Sequence, residues 1–69
     1  MNIQIKAIAA FDDHFDDVRI SEADMFGLYV GEPGSYSWIA DFAHLATAEE
    51  VGHLLAERHG YNYVDQIIR

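Results

Sequence analysis

The chain has 69 residues, with twelve Asp and Glu against four Lys and Arg, for a net charge of −8 at pH 7. So short a chain supports one domain, residues 1–69, and a single thin core. A surface this negative disfavours nucleic acid and anionic membrane as direct ligands and favours basic protein partners. The absence of cysteine excludes a disulfide framework and a thiolate metal centre, and suits a cytoplasmic protein. Nothing in the sequence reads as a secretory signal or as a membrane span.

The first segment, NIQIKAIA, alternates. Ile3, Ile5, Ala7 and Ala9 share one face and Gln4 and Lys6 the other, as in a strand. Next comes FDDHFDDVR, with four aspartates in six consecutive positions. Phe11, Phe15 and Val18 recur at helical spacing, which would project Asp12, Asp13, Asp16 and Asp17 together on the opposite side. Aspartate is a poor residue for a helix interior, however, so residues 11–24 are expected as a helical turn or loop followed by an extended segment. MFGLYVGEPGSYSWIADF reads as a hairpin. Pro33 and Gly34 occupy the two central positions of a type II turn. Phe26, Leu28 and Val30 are expected to alternate with Gly27 and Tyr29, and Tyr36, Trp38, Ala40 and Phe42 to share a face.

TAEEVGHLLAERHG is the best helix. Thr47 is expected as its N-cap with Glu50 completing a capping box, and Gly60 as its close. Ala48, Val51, Leu54 and Leu55 form the expected buried stripe, with Glu49, Glu50, His53 and Glu57 on the solvent side. YNYVDQII, with Tyr61 and Tyr63 on one face, is the expected last strand. The order of elements predicts an α+β fold, an antiparallel β-sheet with one main α-helix packed on it.

Motifs of catalysis are missing. Ser21, Ser35 and Ser37 lie in no G-x-S-x-G elbow, and the Gly27, Gly31, Gly34 series lacks the G-K-[ST] of a phosphate loop. An EF-hand beginning at Asp12 needs Gly at 17 and Glu at 23, where Asp17 and Ala23 stand. Asp12, His14 and Asp16, or Glu49, His53 and Glu57, could hold a divalent ion weakly. The leading expectation is nevertheless a non-enzymatic protein with no catalytic residue, no cofactor and no dedicated metal site.

What remains is the charge itself. A body of this length has an expected radius of gyration of about 11 Å. Duplex DNA of the same span, about 8 base pairs, carries roughly 16 phosphates, within a factor of two of the twelve carboxylates here. A rigid acidic body can therefore present a basic groove with something electrostatically like nucleic acid. The candidate contact residues are Asp12, Asp13, Asp16, Asp17, Glu22, Asp24, Glu49, Glu50 and Glu57.

In size and in this distribution of acids, the whole chain resembles the small acidic phage anti-CRISPR proteins, particularly inhibitors of type I complexes. The resemblance implies a monomeric inhibitor in the cytoplasm of a bacterial host. It also implies that these acids face Lys or Arg on a DNA-recognition subunit of a CRISPR effector and block target DNA by charge mimicry. Two alternatives stand beside it. One is an acidic interaction module of a phage or mobile element recognised through apolar residues such as Trp38 or Tyr36. The other is a weak divalent-metal binder.

Overall fold

Residues 1–67 are described by the computed structural model. They form strand β1 (Asn2–Ala10), strand β2 (Phe15–Asp17), a 3-10 turn (Ile20–Glu22), strand β3 (Met25–Glu32), strand β4 (Ser35–Phe42), helix α1 (Leu45–His59) and strand β5 (Asn62–Val64). The sheet runs β2-β1-β3-β4, with every neighbour antiparallel. β5 joins β1 in parallel at Asn2–Gln4, while β2 pairs at Ile8–Ala10, so the two short strands share one edge of β1 at opposite ends. The architecture is α+β, one helix on one face of this sheet.

Alternation in β1 and β3 places the core. Ile3, Ile5, Ala7, Phe26 and Leu28 point to the helix side and meet Ala48 and Ala56. Full burial of Ile3 and Leu28 stabilises by roughly 1.5–3 kcal/mol for each side chain. The helix approaches closely because its sheet-facing line is Ala48, Gly52 and Ala56, all buried. A Cβ at Gly52 would lie 2.9 Å from Tyr63 Cε2 and 3.3 Å from Ile5 Cδ1. This small-residue line replaces the expected stripe. Val51 and Leu55 flank it half-buried, and Leu54 is 57% exposed.

The helix also begins earlier than its sequence signals predict. His44 is the N-cap, with no side-chain cap bond, and Thr47 lies inside the first turn, so the Thr47–Glu50 capping box does not form. The other end behaves as expected. Gly60 is left-handed at φ 70°, and its amide and that of Tyr61 both donate to the Ala56 carbonyl. The hairpin turn is also as read, with Gly34 at φ 84°, close to the roughly +80° of the third position in a type II turn.

For the acidic segment the structure takes the loop and extended form of the two expected, whereas the hairpin differs from expectation. Residues 11–18 form no helix: the chain reverses over residues 11–14 and returns as β2, with Phe11 N–H donating to the His14 carbonyl at 2.8 Å. Pairing with β1 satisfies more backbone groups than one aspartate-rich helical turn would. In the hairpin, Leu28 pairs with Ala40 but Tyr29 with Trp38, so Ile39 is an extra residue in β4. This β-bulge divides the predicted face. Ala40 and Phe42 pack against the helix-side core, whereas Tyr36 and Trp38 turn to the open side, opposite Gly31 and Tyr29. The final strand is shorter than predicted, and Ile68 at its expected end lies outside the described residues. Among the described residues no helix is long and apolar enough to cross a membrane.

Candidate protein-binding surfaces

The acidic segment is organised by the β1–β2 hairpin. Asp12 and Asp13 sit in its turn, and the register then sets Asp16 opposite Ala9 and Asp17 opposite Ile8. Adjacent strand residues point to opposite faces, so Asp16 and Asp17 diverge and the four aspartates do not form one common row. They are gathered at one end of the sheet, where Asp24 joins them by accepting the Ala10 N–H at 2.8 Å. Glu22 lies nearby on the 3-10 turn that packs against β1. The remaining predicted contacts are separate, on α1: Glu50 and Glu57 are exposed on the helix and Glu49 is half-buried.

His14 makes the crowding tolerable. Its Nδ1 lies 2.5 Å from Asp13 Oδ1 and its Nε2 3.3 Å from Asp16 Oδ2, and its ring stacks on Phe11 at 5.0 Å. The hydrogen bond to Asp13 is the main cause that raises the His14 pKa above its ordinary value of about 6.5; Asp16 adds to it and desolvation opposes it. With the folded value raised, the stabilisation is fully present below about pH 6.5 and is lost as pH rises through the folded pKa. An NMR titration is expected to place the His14 midpoint above that of an Asp13→Asn variant. Equal midpoints would mean that the contact does not form in solution. Asp17 is paired differently, 3.5 Å from Lys6 Nζ. Asp12 and Glu22 are exposed and have no such partner among the described residues.

The sheet face away from the helix carries a second surface. Trp38 stacks beside Tyr29 at 5.8 Å and meets Phe15 edge-on at 5.4 Å. Gly27 makes room for this cluster. A Cβ there would fall 2.7 Å from Ile8 Cδ1, 2.9 Å from Tyr29 Cε2 and 3.2 Å from Trp38 Nε1. Ile8 is only 2% exposed, although no helix covers its side of the sheet. Trp38 Nε1 donates to Asp41 Oδ1 at 2.6 Å, and Lys6 Nζ stands 4.9 Å over the Tyr29 ring. Burial chiefly raises the Tyr29 hydroxyl pKa, and the charges of Asp17 and Asp41 add to it. Beside it lies an open groove of about 550 Å³, with Gln4, Lys6, Asp17, Tyr29, Tyr36 and Gln66 on its walls.

The acids that the sequence singles out therefore occupy two regions, and the aromatic face joins Phe15, Tyr29 and Asp41, none of them among the acidic contacts singled out, to Trp38, which the apolar alternative had named. A glycine inside a strand, as Gly27 is between Phe26 and Leu28 with Tyr29 two residues on, was the available signal. Neither metal alternative assembles a site: His14 is bracketed by Asp13 and Asp16, and His53 stacks on Tyr63 at 3.8 Å. Among the described residues no three His, Asp or Glu side chains form a metal-holding group. Comparison of the chain with protein families, with curated proteins and with solved structures gives no match.

Proposed function

We propose that this chain is a non-enzymatic acidic protein that occupies a basic, nucleic-acid-binding surface of another protein and so excludes nucleic acid from it. The gathering of Asp12, Asp13, Asp16, Glu22 and Asp24 at one end of a body measuring 36 × 24 × 18 Å carries this reading. The body has a radius of gyration of 11.5 Å and a net charge of −8. Such a surface speeds association with a basic groove and competes there with phosphate. The target class that the resemblance in size and charge favours is the DNA-recognition face of a CRISPR effector.

The test is displacement of duplex DNA from a purified type I CRISPR effector, followed by gel shift at about 50 and 300 mM salt. Displacement is expected at the lower salt and much weaker at the higher. The Asp12/Asp13/Asp16/Asp17→Asn variant, shown by circular dichroism to be folded, is expected to compete at least about tenfold less well, because asparagine keeps the shape and discards the charge. A quadruple variant as effective as the parent rules out the acidic end as the contact.

A second reading, recognition through apolar residues, has the exposed Phe15–Trp38 pair in its favour. It predicts binding that is insensitive to salt.

A further inference from the structure

Phe15 belongs to β2 and Trp38 to β4, with β1 and β3 between them, and the register sets Phe15 opposite Ala10 but Trp38 opposite Tyr29, which pairs with Gln4. Their rings nevertheless meet at 5.4 Å, above the gap that Gly27 leaves. Both remain open to solvent, Phe15 at 55% and Trp38 at 41%. Aromatic surface held in place across a sheet, and not buried by it, is poised to contact something else.

Charge says what that something is. Lys6 shows the pattern within the fold, its ammonium held between the Tyr29 ring and the Asp17 carboxylate. The same two components recur at the neighbouring ring, where Trp38 carries Asp41 on its indole N–H. Only one oxygen of Asp41 is used in that bond, and among the described residues no cation stands over Trp38 or Phe15. A guanidinium suits this corner better than an ammonium, because it is planar, stacks on an indole and offers forked N–H donors to a carboxylate. Nucleobases also stack on aromatic side chains, but Asp17, Asp41 and the net charge of −8 repel the phosphates that come with them. A second copy of the chain brings the same negative charge.

We infer that the Phe15–Trp38–Asp41 corner docks an arginine side chain of a basic protein partner, with the guanidinium stacked on the Trp38 indole against the edge-on Phe15 ring and hydrogen-bonded to Asp41. This rests on the reading above that the partner is basic, and it supplies the apolar anchor which an acidic end alone lacks.

The experiment uses two synthetic peptides of equal length and charge, alternating Arg-Gly and Lys-Gly, titrated into the full chain at about 50 mM salt. Trp38 is the single tryptophan, so its emission reports this corner directly, and amide NMR shifts map the rest. The arginine peptide is expected to bind about tenfold tighter than the lysine peptide and to change Trp38 emission. Asp41→Asn, which keeps an acceptor for the indole N–H, is expected to weaken the arginine peptide about fivefold, and Phe15→Ala by a similar factor. Equal affinity of the two peptides, or shifts confined to residues 12–16 with Trp38 emission unchanged, overturns the inference while leaving the acidic reading intact. Absence of any shift with either peptide overturns both. Emission changes with single-stranded oligothymidine, or on concentrating the chain alone, would instead assign the corner to nucleobases or to a second copy.

Discussion

Gly31→Ala is expected to destabilise the fold by about 3 kcal/mol, at the upper end of what overpacking costs. Gly31 pairs with Tyr36 across the β3–β4 hairpin, where a Cβ would lie against the Ser35 carbonyl oxygen, far inside contact distance, and 2.9 Å from Tyr36 Cα. Both are main-chain atoms. A flexible side chain could swing aside, but here the strand itself must move, and the hairpin loop contains only Pro33 and Gly34 between the paired Glu32 and Ser35. The requirement is one of space, since among the described residues positive φ is found only at Gly34 and Gly60. A core of this size rarely supplies more than about 3–5 kcal/mol, so the variant should be largely unfolded or marginal. In a thermal melt followed by circular dichroism, the midpoint is expected to fall by about 15 °C or more. A shift of only a few degrees would mean that the hairpin relaxes there more easily than its geometry implies.

Leu28→Ala is expected to be nearly as costly, about 3 kcal/mol, from lost burial and the cavity left behind. Leu28 is 1% exposed and lies in β3 between Ile5 of β1 and Ala40 of β4, beneath the helix. The informative comparison is Leu54→Ala. On periodicity alone Leu54 belongs to the buried stripe of α1, yet it is 57% exposed, and its truncation should change stability by no more than about 0.5 kcal/mol. Urea midpoints of the two variants would separate these values clearly. Equal losses would place Leu54 in the core and require the helix to be rotated.

These outcomes turn on which features of the chain are local. The alternation of β1, the Pro33-Gly34 turn, the stop at Gly60 and the α+β order are readable from sequence because each depends on neighbouring residues: a period of two, a fixed proline φ, a glycine free to be left-handed. The concentration of acids was legible in the same way. Their arrangement was not. Phe11, Phe15 and Val18 are spaced for a helix, but pairing with the far end of β1 made the segment a hairpin, and its register sent Asp16 and Asp17 to opposite faces. His14 became the side chain that bridges Asp13 and Asp16.

The helix illustrates the same limit. Thr47 and Glu50 form an adequate start signal, but a cap contributes only about 1 kcal/mol, and an extra turn beginning at Leu45 adds apolar contact with the core. Which line of α1 then faced the sheet followed from how closely two backbones could approach, and Ala48, Gly52 and Ala56 permit what larger side chains would prevent.

Trp38 marks the boundary most clearly. Strict alternation puts it in the core beside Ala40 and Phe42. The single extra residue at Ile39 reverses the phase of the strand, because one residue is half of a two-residue repeat. Composition and local chemistry were enough for the element types and the acidic character. The faces those elements present were decided by strand register and helix approach, which depend on partners distant in the chain, and so the aromatic corner on the open sheet exists only in the folded molecule.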